Sequence, residues 1–250
     1  MARTDKFKGI LKFVDEWGFI TTKICANIFY KDATYSLNMA QRTLKKLVDR
    51  GFLVVNSLRE GKEGIYQYKK EVVSDHRYFL LNLYSEIYKY ADDVIYFKTE
   101  EYWSVSKKRS DAHIIFCTNE NGNMIPHSYL IEFDKFSKTG SNKYDLIYKT
   151  NEVQEWYLEN YGMELFPDVL LINPLAKETI ISGHEYKVVA INYDFDELLQ
   201  KVILWHMHYI RVLKLLECKK YPSLTYQLKI WLVAMKEGEY SENKGRNKGI

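Results

Sequence analysis

Apolar residues recur three and four positions apart in three stretches of the first fifty residues. This spacing puts them on one face of a helix, so three amphipathic helices are predicted. The first lies in RTDKFKGILKFVDEWG, begins at Thr4 or Asp5 and ends at Gly18. The second lies in TTKICANIFYK, where Thr21 or Thr22 is the expected cap.

The third predicted helix runs from about Ser36 to Arg50 and has two contrasting faces. Its apolar face consists of Ala40, Leu44, Leu47 and Val48. The opposite face carries side chains that hydrogen-bond base edges or neutralise phosphates, namely Asn38, Gln41, Arg42, Lys45 and Lys46. This face predicts contact with double-stranded DNA, with Arg42 as the first choice for a base contact. A solvated helix face without a partner is the alternative.

Two β-prone runs, FLVVNSL and IYQYKK, follow the third helix. The REGKEG between them predicts a charged hairpin tip that carries Arg59 and Lys62. Three helices and a hairpin resemble a winged helix-turn-helix domain, and the resemblance covers about residues 4 to 70. It implies that the third helix enters a major groove and that the hairpin tip lies near the phosphate backbone. Winged helices also serve as protein-interaction modules, which is the alternative here.

Beyond residue 71 the apolar pattern predicts a second domain. Residues 72–92 predict a long connector or dimerisation helix. Strands are expected in VIYFK, DAHIIFC, HSYLIEFDKF, PDVLLINP and KVVAINY, with one helix across NKYDLIYKTNEVQEWYLENYG after the third strand. The chain is therefore predicted to be α+β, with an α/β domain over residues 93–235 on a central mixed sheet. A helix from about Asp196 to Cys218 is expected to cover one face, and residues 236–250 to be a disordered tail.

Charge separates the two predicted domains. Residues 1–75 hold 14 Lys and Arg against 9 Asp and Glu, whereas the remaining 175 residues hold 22 against 24. The basic excess of the first third favours a polyanionic partner. Three widely spaced cysteines predict neither a disulfide framework nor a cysteine-based zinc site. No stretch approaches the ~18 apolar residues of a membrane span, so a cytoplasmic protein with no membrane partner is expected.

Two acidic residues on neighbouring predicted strands are the candidate chemistry. Asp111 starts the strand in SDAHIIF, and Glu132 lies near the end of the strand in LIEFDK. A hairpin would bring these strands side by side. An acid on one strand and an acid-x-lysine triplet on the next resembles the PD-(D/E)xK nuclease fold, which gathers carboxylates around Mg²⁺. The resemblance implies that Asp111 and Glu132 are metal ligands.

This sequence departs from the nuclease pattern at the lysine of that triplet. Asp134 stands in its place, and Lys135 points to the opposite face because side chains alternate along a strand. Lys143 and Lys149 are the lysines that the following helix offers for the role. Asp111, Glu132 and Asp134 are the candidate catalytic residues, and Mg²⁺ is the expected cofactor only if the site is active. Solvated acids at strand ends are the alternative.

The winged helix, IEFDK and the downstream KYDLIYK together resemble the replication-relaxation family over about residues 5 to 195. Such proteins are associated with plasmids and other mobile elements. The resemblance implies a DNA-binding protein of plasmid replication, relaxation or transfer, whose nuclease-like domain lacks part of its catalytic equipment. A homodimer is expected, because one winged helix covers few base pairs. A metal-dependent DNA endonuclease and a winged-helix transcriptional regulator are the alternatives.

Overall fold

The computed structural model describes residues 3–57, 63–120, 123–134, 142–173, 180–181, 183–192 and 195. The chain divides into two compact units, Met1–Tyr90 and Ala91–Ile250. Helices and a mixed sheet are both present, so the predicted α+β class is confirmed at that level. Within the described ranges, no helix has both the length and the apolar character that crossing a membrane requires.

The first unit begins with three helices, α1 (Arg3–Trp17), α2 (Thr22–Phe29) and α3 (Ser36–Asp49). Each coincides with a predicted helix. Thr21 caps α2, because its Oγ1 accepts a hydrogen bond from the backbone N of Ile24 at 3.2 Å. Gly18 ends α1 with a φ of +77°, which glycine adopts without steric cost. The apolar faces meet in one buried core that includes Ile10, Val14, Ile24, Leu44 and Leu47.

A small antiparallel sheet completes the helical core. Its strands are β1 (Ile20–Thr21), β2 (Val54–Ser57) and β3 (Gly64–Gln67), in the order β1-β3-β2. The predicted hairpin is therefore present as β2 and β3. Strand β1 was not predicted, because two residues are too short to show a period. Residues 58–62, with Arg59 and Lys62, lie outside the described residues.

The predicted connector helix is α4 (Asp75–Tyr90), and it belongs to the first unit. Polar contacts tie it to α2, since Asn27 Nδ2 donates to Glu86 Oε1 at 3.1 Å and Lys23 Nζ lies 2.8 Å from the same oxygen. Glu86 is buried, and these two contacts compensate its charge inside the unit. Leu81 of α4 also joins the core of the first unit.

The second unit is built on a mixed sheet with the order β4-β5-β6-β7-β9-β8 among the described residues. The strands are β4 (Asp93–Trp103), β5 (Lys108–Glu120), β6 (Asn123–Phe133), β7 (Asp168–Ile172), β8 (Ile180–Ile181) and β9 (Val188–Ile191). Strands β4, β5 and β6 are antiparallel, whereas β7 runs parallel to β6 and β9 runs parallel to β7. All five predicted strands are present, and the two-residue β8 was missed.

Two helices, α5 (Asn142–Lys149) and α6 (Glu152–Tyr161), stand where one helix was predicted. That prediction was wrong because Asn151 adopts the left-handed conformation, with a φ of +57°, and interrupts the helix. Thr150 Oγ1 also donates to the carbonyl of Ile147 at 2.8 Å, a local bond that competes with helix continuation. Both helices pack on one sheet face through buried residues such as Tyr144, Ile147, Val153 and Tyr157. The predicted helix from Asp196 and the predicted tail lie outside the described residues.

Candidate functional site

Asp111 and Glu132 lie on neighbouring strands at the same level of the sheet. Strands β5 and β6 pair with Ala112 opposite Ile131, so Asp111 and Glu132 occupy the next pair of positions. The backbone N of Phe133 donates to Asp111 Oδ2 at 2.7 Å, which fixes one carboxylate against the neighbouring strand. Asp111 is the fourth residue of β5 rather than its first, because the strand begins at Lys108.

Lys143 of α5 reaches this pair of acids. Its ammonium contacts Glu132 Oε2 and donates to the carbonyl oxygen of Arg109 at 2.9 Å. The hydroxyl of Tyr144 lies 3.1 Å from the same Glu132 oxygen. Of the two lysines that the sequence offered, Lys143 is therefore the one that contacts an acid of the pair. We call Asp111, Glu132 and Lys143 the acid–lysine cluster.

The cluster concentrates negative charge in a buried place. Glu132 is only 5% exposed. Burial raises the pKa of Glu132, and repulsion by Asp111 raises it further, while Lys143 and Tyr144 act in the opposite direction without cancelling the rise. The neighbouring carboxylates of Asp111 and Glu132 carry more negative charge than the one ammonium of Lys143 can neutralise. Their oxygens are the ligands that Mg²⁺ prefers, so the residues present fit a divalent cation.

Asp134 stands two residues beyond Glu132 and is buried. Its backbone N donates to the carbonyl oxygen of Ile172 at 2.9 Å, which continues the pairing of β6 with β7 by one residue. Lys135 lies outside the described residues.

A buried polar chain, which the sequence did not reveal, lies beside the cluster. His113, two residues from Asp111 on the same face of β5, has Nδ1 2.7 Å from Glu101 Oε2 and Nε2 2.7 Å from the hydroxyl of Tyr157. That hydroxyl also contacts Ser128 Oγ. All four side chains of this chain are at least nine-tenths buried. His113 sits in an apolar run, and the other three members of the chain come from three other elements, so no local pattern signals them.

The protonation states of this chain follow from its contacts. Burial lowers the pKa of His113. Burial alone would raise the pKa of Glu101, but hydrogen bonds from His113, Lys98 and Tyr96 lower it overall. An ionised Glu101 therefore accepts Nδ1–H of a neutral His113, whose Nε2 accepts the Tyr157 hydroxyl. The chain ties α6 to three adjacent strands.

The second candidate site is the outer face of α3 in the first unit. Asn38, Gln41, Arg42, Lys45 and Lys46 are all exposed. Among the residues that the structure describes, no hydrogen bond or ion pair engages these five side chains. Leu44 and Leu47, on the other side of the helix, are fully buried. The two-faced helix that the sequence predicts is present, with its polar face open to a partner.

No family model matches the chain, and searches of curated proteins and of solved structures found no match. The acid–lysine cluster and the outer face of α3 are therefore the observations from which a function is argued.

Proposed function

We propose that this is a DNA-binding protein of a plasmid or another mobile element, acting in replication, relaxation or transfer, and that its second unit is a metal-dependent nuclease domain. The observation that carries the nuclease proposal is the contact of Lys143 with Glu132 beside Asp111. In the sequence, Asp134 at the lysine position argued against cleavage. The ammonium from α5 supplies the missing group by another route.

The arrangement of the second unit supports the resemblance to the PD-(D/E)xK fold. The two acids lie on antiparallel neighbours, β5 and β6, and the helix that follows β6 brings the lysine. Strand β7 then returns parallel to β6, next to the strand that carries Glu132. Both acids and the lysine therefore converge at one place on the sheet.

The chemistry follows from the charges of the cluster. Asp111 and Glu132 would hold Mg²⁺, which when bound polarises a phosphodiester and lowers the pKa of a bound water. Lys143 places a positive charge beside the same carboxylate, where it stabilises the negative charge that develops on a phosphate. Tyr144 orients Glu132 by its hydrogen bond to Oε2. Metal binding by the two acids, charge stabilisation by Lys143 and orientation of Glu132 by Tyr144 all require the contacts described above.

The first unit supports the DNA-binding half of the proposal. Three helices and the sheet order β1-β3-β2 fit a winged helix, in which α3 would enter the major groove. Its outer face offers amides for base edges and cations for phosphates, with no partner of its own among the described residues. We also propose that the protein acts as a homodimer, because two copies of α3 would read a symmetric site.

The experiment is cleavage of supercoiled plasmid DNA with Mg²⁺ or Mn²⁺. We expect the wild-type protein to nick or linearise the plasmid, and Asp111→Ala and Lys143→Met to reduce the rate by roughly 100-fold or more. Lys149→Met is the matched control, since Lys149 is an exposed lysine at the other end of α5. If Lys149→Met lowers the rate as much as Lys143→Met, the assignment of Lys143 is wrong.

A DNA-binding protein without cleavage is the second candidate. It is favoured by Asp134 at the usual lysine position and by the burial of Glu132. Salt-dependent DNA binding by a protein that leaves supercoiled plasmid intact with either metal would establish it. Binding restricted to the promoter of its own gene, with no effect on plasmid copy number or transfer, would instead identify a transcriptional regulator.

A further inference from the structure

The first turn of α3 exposes apolar side chains beside its cationic face. Leu37 is 56% exposed and Met39 is 42% exposed, and Tyr35, just before the helix, is 70% exposed. Asn38 lies between them and is exposed as well. At 100° per residue, Leu37 and Met39 lie about 200° apart around the helix axis, so they flank the exposed Asn38 on its two sides.

We infer that this first turn reads A·T base pairs, with Leu37 and Met39 against thymine methyl groups and Asn38 on adenine. The inference rests on the proposed function and names the class of DNA that α3 selects. Thymine is the base that presents a methyl group in the major groove, and apolar side chains contact it there. Asparagine matches adenine, because its amide donates to N7 and accepts from N6.

Helical spacing divides the outer face along its length. Successive residues turn by about 100°, so Leu37, Gln41 and Lys45 form one stripe, and Asn38 and Arg42 form the next. When such a helix lies in the major groove, its N-terminal residues contact the base edges. The apolar and amide side chains thus stand at the base-reading end, while Lys45 and Lys46 stand toward the phosphates. Arg42, one turn after Asn38, would meet a guanine next to the A·T pairs.

The positive charge of the outer face of α3 favours DNA, rather than an apolar protein surface, as the partner that binds there. From Ser36 to Lys46 the helix holds three cationic residues and no acid. A duplex carries a phosphate charge about every 1.7 Å along its axis, so it complements these cations over the whole face. An apolar protein partner would instead have to desolvate Arg42, Lys45 and Lys46 without compensation.

The test begins with selection of binding sites from a random duplex pool by the full-length protein at fixed salt. We expect the selected sites to share A·T pairs next to a guanine. The selected duplex is then rebuilt with deoxyuridine for thymidine, which removes only the methyl groups. Loss of each buried methyl contact should weaken binding about fourfold, so loss of the two contacts made by Leu37 and Met39 should weaken it about fifteenfold. Leu37→Ala should prefer thymidine only about fourfold, because its own methyl contact is already gone and the Met39 contact remains.

Two matched comparisons make the outcome decisive. Leu146→Ala removes a leucine that is 49% exposed on α5, and this variant should keep the full wild-type preference for thymidine. Asn38→Ala should lose discrimination between adenine and 7-deazaadenine by roughly tenfold, because the N7 acceptor is then not read. Circular dichroism of Leu37→Ala should match the wild type, since the side chain is exposed.

The possible failures are distinct. A protein that binds no duplex at any salt concentration overturns the proposed function, and the inference falls with it. Salt-dependent binding with no response to deoxyuridine overturns the inference and leaves DNA binding intact. Selected sites made of G·C pairs alone would also overturn it.

Discussion

The ammonium of Lys143 contacts the carboxylate of Glu132 although the residues are 11 positions apart, one on α5 and one on β6. Lys143 also donates to the carbonyl of Arg109, so it is held between β5 and β6. The side chain of Lys143 is only 19% exposed and that of Glu132 only 6%. The ammonium is therefore the resident counter-charge of Glu132.

We expect Lys143→Met to bind Mn²⁺ more tightly than the wild type, by roughly threefold to tenfold, while losing cleavage. The substitution leaves Glu132 Oε2 with the hydrogen bond from Tyr144 and removes a positive charge from the place where a cation would bind. Isothermal titration calorimetry on the metal-free proteins measures this. Lys149→Met should titrate like the wild type, and a Lys143→Met protein with unchanged or weaker Mn²⁺ affinity would contradict the counter-charge role.

Arg42 and Lys45 should differ in how their loss affects DNA binding. Arg42→Ala should reduce discrimination between cognate and altered sites by about 1–3 kcal/mol, because arginine reads guanine by two hydrogen bonds. Lys45→Ala should weaken all duplexes about equally and reduce the salt slope by about one. Fluorescence anisotropy over a salt series separates the two effects. Equal losses for both variants on all duplexes would remove the distinction.

His113 should make the protein sensitive to mild acid. Its pKa is lowered from an ordinary 6.5, because burial disfavours the cation. The unfolded chain therefore takes up a proton as the pH falls below about 6.5, whereas the folded protein does not until the pH is lower. The free energy of unfolding should fall with pH in that window, by at most about 1.4 kcal/mol per pH unit from this group.

Urea denaturation at pH 7.5, 6.5 and 5.5 measures this fall for the wild type and for His113→Gln. The variant should be less stable at pH 7.5, because Glu101 and Tyr157 lose a partner, but its stability should change less with pH. Tyr157→Phe provides a second test if His113→Gln does not fold, since it removes one contact and retains the histidine. If the free energy of unfolding of His113→Gln fell with pH as steeply as that of the wild type, the acid sensitivity would come from another group.

The first ninety residues should fold alone, and the first seventy-one should not. Helix α4 contributes Leu81 to the core of the first unit, and Glu86 pairs with Lys23 and Asn27 of α2. Removal of α4 leaves Asn27 without its partners and exposes the core of the unit. Circular dichroism and thermal unfolding of the two fragments measure this. Equal cooperative unfolding of both would show that α4 is an independent connector.

The sequence predicted those parts of the fold that carry a local period. The first three helices, the hairpin of β2 and β3 and the five longer strands follow from apolar spacing. Strands β1 and β8 were missed because two residues show no period, and the break at Asn151 was missed although asparagine favours caps and turns over helix interiors. The placement of Asp111 and Glu132 on paired strands was predictable, because the turn between the two strands implies a hairpin. The choice of Lys143 over Lys149 and the partners of His113 depend on how distant elements pack, which spacing along the chain does not encode.

The break at Asn151 also sets the distance between two anchoring points on the sheet. One straight helix would separate positions 143 and 157 by about 21 Å, at 1.5 Å per residue. Their contacts on β6, Glu132 and Ser128, are four residues apart, which is about 13 Å along a strand. Because the helix is interrupted at Asn151, Lys143 and Tyr157 are not held at this straight-helix separation, and each contacts its own partner on the same strand.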